Sequence, residues 1–184
     1  MKVFFTAAYS GKEKYQKYYD IVRKCIEETG VELISPEKGN YKSLLTKTDL
    51  QKITADRALH YEAIKKGILW ADLVIIEISE QNFQLGHEAT LAIQNKKPVL
   101  CLSLHEDYSI KIIDRYFHAA KYNQHNAKRY VEDFINKYKK ELLGERFNFF
   151  LSRGQLNFIN EEAARLRLTS SEYIRRLIDK ERST

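Results

Sequence analysis

Hydrophobic positions along this chain of 184 residues fall into two patterns that take turns. Short β-branched runs at 2–9, 31–35, 72–79 and 99–104 have the length of buried strands, and a fifth run at 117–122 fits the same description. Between them the apolar residues recur at helical spacing. Tyr18, Ile21, Val22, Cys25 and Ile26 mark a helix over 13–29, which Gly30 ends. Further helices are expected over 50–70, from Leu85 onward and over 126–143, whereas the polar stretch 37–50 reads as a loop over the sheet edge. Strand and helix in alternation predict an α/β fold: a flavodoxin- or Rossmann-like parallel sheet of about five strands, with helices on both faces.

The alternation stops near Arg146, which suggests a domain over 1–145 and a small module over 146–184. Phe147, Phe149 and Leu151 alternate with Asn148, Phe150 and Ser152, as in one half-buried strand. An amphipathic helix over 156–166 follows. Thr169-Ser170-Ser171-Glu172 then has the spacing of a capping box, with Tyr173, Ile174, Leu177 and Ile178 on the inner face of a second helix. Strand, helix and capped helix resemble the ribbon-helix-helix module, in which two chains pair their strands. One copy has too small a core to stand alone, so a homodimer or tetramer is expected. In that family the outward ribbon residues, here Arg146, Asn148, Phe150 and Ser152, read DNA. Phe150 is a poor base reader, and eight Lys/Arg against five acids over 146–184 make a modest footprint, so dimerisation is favoured over DNA as the role.

Composition narrows the classes. Hydrophobic residues at 43% and charged residues at 30% are ordinary for a globular protein, and no apolar run approaches a bilayer span. The first residues enter a strand at once, without the long apolar centre of a signal peptide. Cys25 and Cys101 are isolated; they form neither a metal pair nor a disulfide framework, which points to a reducing cytoplasm. No metal, cofactor or membrane contact is expected. The formal charge of +6 admits an anionic small molecule without establishing nucleic-acid binding.

The richest stretch for chemistry is 71–88, which ends Leu85-Gly86-His87-Glu88. A helix starting at Leu85 after a strand puts Gly86 and Glu88 in its first turn, at the sheet edge where open α/β folds bind ligands. The dipole there favours an ionised carboxylate, suited to displacement at a sugar carbon.

Four segments then carry a family resemblance. They are Phe4-Phe5-Thr6-Ala7-Ala8-Tyr9, the Ala71-Asp72 strand, Gly86-His87-Glu88-Ala89, and Lys96-Lys97-Pro98-Val99-Leu100. Together they resemble the nucleoside 2-deoxyribosyltransferase superfamily, and its deoxynucleoside 5′-monophosphate N-glycosidase branch in particular. The resemblance implies a nucleoside or nucleotide substrate and Glu88 as nucleophile. A covalent glycosyl-Glu88 ester would then pass to water or to a second base. It also implies substrate contacts from Phe5, Tyr9, Asn82 and Gly86, with Lys12 and Ser109 as further candidates.

Departures from the family pattern are specific. Ile64 stands where the family carries an Asp, eight residues before Asp72; Asn82 replaces a phosphate-binding Ser, and Gln84 a Gly. His60 and Asp56 lie on the helical stripe of Ile64 at intervals of four, which makes them the candidate acid or base-recognition pair. Two other functions remain open: a nucleotide-sensing DNA-binding regulator of weak activity, and an NAD-type glycohydrolase.

Overall fold

The computed structural model describes residues 1–142, 148–166 and 168–182. Five parallel strands, β1 (Lys2–Ala7), β2 (Glu32–Ile34), β3 (Leu73–Glu77), β4 (Val99–Ser103) and β5 (Phe117–Lys121), form one sheet in the order β2-β1-β3-β4-β5. Every residue of β3 and β4 is buried, as strands covered on both faces must be. Helices α1 (Lys12–Glu28) and α5 (Ala127–Leu142) cover one face, where Phe5, Ile75 and Leu102 meet Tyr19, Val22 and Ile135. On the other face, Phe4, Val74, Ile76 and Cys101 pack with Ile64, Ile68, Leu85 and Ala92.

The expected helix over 50–70 is two: α2 (Lys47–Lys52), opened by a Thr46–Asp49 capping box, and α3 (Asp56–Trp70). The β-branched Ile53 sits extended between them at φ −107°, ψ 105°, which ends α2. Gly67 lets α3 lie directly on β1; a Cβ there would fall 2.1 Å from the Phe4 ring. That close approach seats the last turns of α3 on the middle of β1, while His60 nearer its start lines a pocket with Thr6, Ala7 and Ala8. The segment 37–50, expected as a loop, contains 3₁₀ turns at Pro36–Lys38 and Tyr41–Leu44 as well as the start of α2.

Helix α4 (Phe83–Gln94) starts two residues earlier than the sequence suggests, because the Asn82 side chain accepts from the Leu85 N–H at 3.0 Å and caps it. The β1–β3 crossover is the topological switch of the sheet, and the strand tips there open into a cleft.

The chain divides into two compact units, Met1–Gly144 and Glu145–Thr184. The second holds α6 (Arg153–Arg165) and α7 (Ser170–Arg182), whose shared core among the described residues is Ile159, Ala163 and Tyr173 with Leu151 and Ile174 against them. Thr169 and Glu172 form the expected capping box, with reciprocal bonds of 2.7 and 3.2 Å. Of the strand expected here, the described residues 148–151 are assigned to no strand, and Ser152 caps α6. A strand is defined by its neighbour, and a single copy supplies none. Leu143, Arg146 and Phe147 lie outside the described residues. Among the described residues, no helix is long and apolar enough to cross a membrane.

Candidate functional site

Glu88 lies in the second turn of α4, not the first, and only 1% of it is exposed. The early Asn82 cap moves the helix start back and carries Glu88 inward beneath the tip of β1. Its Oε1 accepts from Gln84 Nε2 at 2.8 Å, while the buried Oε2 completes no hydrogen bond. Burial raises the carboxyl to about 7, against a smaller opposing effect of Gln84 and Thr6. Desolvation thus overrides the helix dipole that sequence reasoning relied on, and near neutral pH the group is divided between its two forms.

Thr6 and Gln84 separate Glu88 from a pocket of about 240 Å³ at the tips of β1 and β2, lined also by Ala8, Lys12, Glu37 and Ile64. Its outer walls, Tyr9, Tyr41, His60 and Gln84, also line a wider trough of about 900 Å³ that continues to Asp56, Arg57, Tyr61 and His87. One cleft therefore runs from the neighbourhood of Glu88 out past α3.

His60 reaches this cleft from the second turn of α3, and its Nδ1 is 2.9 Å from the Tyr41 hydroxyl. Burial, and secondarily the charge of Lys42, lowers its pKa, so the neutral ring dominates at pH 7. The expected partner Asp56 lines only the outer trough; the residue hydrogen-bonded to His60 is Tyr41. Ile64 is buried in the core and touches the inner pocket.

Other expected residues scatter. Phe5 is fully buried on the opposite face against α1 and α5, and its neighbour Thr6 lines the pocket instead. Tyr9 and Lys12 do line it; Lys12 pairs with the buried Glu37 at 3.0 Å and lies 5.4 Å from the Tyr9 ring. Asn82 is at the rim, its Oδ1 committed to the cap. Gly86 lines a different hollow of about 310 Å³, between α4 and β4–β5. The described residues that line that hollow include no carboxylate, histidine or cation. Ser109 lines neither part of the cleft, and its N–H is used locally by Asp107. No cluster of His, Cys, Asp or Glu among the described residues could hold a metal.

No family model and no curated protein matches the chain. Among solved structures it is similar to the Clostridium botulinum CMP N-glycosidase BcmB, with 21% identity over 73% of this chain and 99% of that one, at a TM-score of 0.42. It is also similar to a conserved protein from Enterococcus faecalis V583, with 16% identity over 77% and 99%, at a TM-score of 0.45.

Proposed function

We propose that the first unit cleaves or transfers at the N-glycosidic bond of a nucleoside or nucleoside 5′-monophosphate through Glu88. One observation carries the reading: a buried carboxylate with one oxygen held by Gln84 and the other unengaged, behind the inner wall of the cleft. Buried polar atoms without a partner are rare and call for a reason. Here the reason is attack. The ionised Oε2 bonds to the anomeric carbon as the bond from that carbon to the base nitrogen breaks, leaving its electron pair on the base. The resulting ester is opened by water or by a second base. For the sugar to reach Glu88, the Gln84 side chain swings aside, and its bond to Oε1 keeps the carboxylate aligned until then.

The departing base needs hydrogen bonding at its ring nitrogen. With Tyr41 donating to Nδ1, the neutral His60 carries its hydrogen on Nε2 and presents it to the cleft. A protonated His60 would require a pH below its lowered pKa, where Glu88 is neutral and unreactive. His60 therefore acts as a neutral donor, and activity follows the ionisation of Glu88 alone.

Base release from a panel of deoxynucleoside monophosphates, nucleosides and NAD tests this. The wild type releases base from at least one member and Glu88→Gln from none. Undiminished release by Glu88→Gln would refute the assignment. Release from NAD alone would select the glycohydrolase form of the same chemistry.

The second unit is assigned to self-association, as a ribbon-helix-helix-like pair. Its slight core and the exposed Phe150, Leu156, Phe158, Leu177 and Ile178 support that role. Light scattering on the full chain should give a dimer or larger assembly that Leu177→Lys weakens; a monomer at tens of micromolar would refute it.

A further inference from the structure

The outer trough contains a run of stacked rings that the cleavage chemistry leaves unused. Phe83, the first residue of α4, lies parallel to His87 one turn on, with centroids 6.4 Å apart and planes 9° apart. His87 in turn stacks on Tyr61 of α3 at 5.8 Å and 27°, and its Nε2 is 3.0 Å from the Tyr61 hydroxyl. One end of the run is closed by α3. At the other end the Phe83 ring is 91% exposed, at the edge of a cleft. A large ring left bare at the open end of a stack is a platform for a further flat ring.

Charge narrows the occupant. Lys42 and Arg57 line the trough but not the inner pocket, and neither makes an ion pair among the described residues. The trough's one carboxylate is Asp56. Two cations beside a bare aromatic face suit a phosphate joined to a base. The trough is also far roomier than the inner pocket, and the two meet at a neck formed by Tyr9, Tyr41, His60 and Gln84.

We infer that the cleft is built for a dinucleotide, whose reacting ribosyl sits at Glu88 and whose second base stacks on Phe83, with the linking phosphates between Lys42 and Arg57. The departing base meets His60 on one side of the neck while the 5′-linked phosphates leave along the Tyr9 side. The inference rests on the N-glycosidic reading only for which end enters the inner pocket. A longer single strand is a different occupant, and the run of three rings offers it one strongly exposed ring, Phe83.

Titration calorimetry on the full-length Glu88→Gln protein tests it, comparing symmetrical dinucleoside 5′,5′-diphosphates of the common bases with the matching monophosphates. The best dinucleotide should bind about tenfold more tightly or better than its monophosphate, as one added stacking contact provides. Phe83→Ala, an exposed position, should remove that advantage and leave the monophosphate within about twofold. Equal affinities, no binding by either, an advantage that survives Phe83→Ala, or tighter binding of a hexanucleotide would each overturn the inference. If the wild type releases no base from any substrate while the Phe83-dependent preference persists, the N-glycosidic reading falls and this one stands.

Discussion

Two glutamates are buried on opposite faces of the same sheet, and they differ in what surrounds them. Glu77, at the tip of β3, is fully buried; burial raises it to about 7 despite hydrogen bonds from Ser79 and Tyr122. Its Oε1 accepts from the Ser79 hydroxyl and, at 3.0 Å, from Tyr122, while Oε2 accepts from the Ser79 N–H at 3.3 Å. Ser79 Oγ in turn accepts from Leu104 N at 2.9 Å, so the group ties together the ends of β3, β4 and β5. Glu88 is buried to the same degree and shifted in the same direction, yet beside the Gln84 bond to Oε1 it has only the weaker influence of Thr6, and Oε2 completes no hydrogen bond. Burial and pKa alone do not separate a strut from a reagent. The proposed nucleophile is set apart by its uncommitted oxygen.

Substitution at Glu88 should give the largest effect and split activity from stability. Glu88→Gln should lower base release at least about a thousandfold. It should also stabilise the protein at alkaline pH. The native carboxyl keeps its proton up to about 7, whereas an unfolded chain loses it near 4.5. Stability from this group is therefore complete below 4.5 and falls as pH rises to 7. The variant escapes that fall, worth about 3 kcal/mol by pH 8. Thermal melts at pH 5 and pH 8 check it: the gain should appear only at pH 8.

Glu77→Ala should do the reverse. It leaves the Ser79 and Tyr122 hydroxyls without their acceptor, and should cost about 2–4 kcal/mol of stability in urea titrations at pH 6. Turnover per folded molecule should change far less than in Glu88→Gln. A Glu77 variant as inactive as Glu88→Gln while still folded would erase the distinction.

Smaller effects sharpen the Glu88 side. kcat/KM for the wild type should rise with pH along one limb centred near 7, as Glu88 ionises. Gln84→Glu places a like charge 2.8 Å from Oε1 and should push that limb upward. Tyr41→Phe removes one hydrogen bond from His60 and should lower kcat/KM about five- to tenfold without moving the limb.

Much of the sheet was legible because parallel strands covered on both faces read as continuous β-branched runs, as 73–77 and 99–103 do. The same property hid which face each residue takes. With no polar alternation in Phe4-Phe5-Thr6, nothing in the sequence says that Thr6 faces the cleft and Phe5 does not. His60 was found from its helical stripe with Ile64, but its partner was not. Tyr41 comes from a polar stretch without period, and only the folded chain brings it across 19 positions. The Asn82 side chain shifted α4 by two residues, enough to move Glu88 from an exposed first turn into the interior. Phe83, His87 and Tyr61 carry no periodic signal as a set, because their stacking spans two helices.

The most direct test of Glu88 as nucleophile is mass spectrometry of the protein after incubation with nucleotides bearing a 2-fluoro substituent on the sugar, which destabilises an oxocarbenium-like transition state and slows opening of the ester. The account predicts a mass increase of one fluoroglycosyl group, mapping to the peptide that contains Glu88 and absent from Glu88→Gln. Base release with no adduct, or an adduct on any other residue, would contradict it.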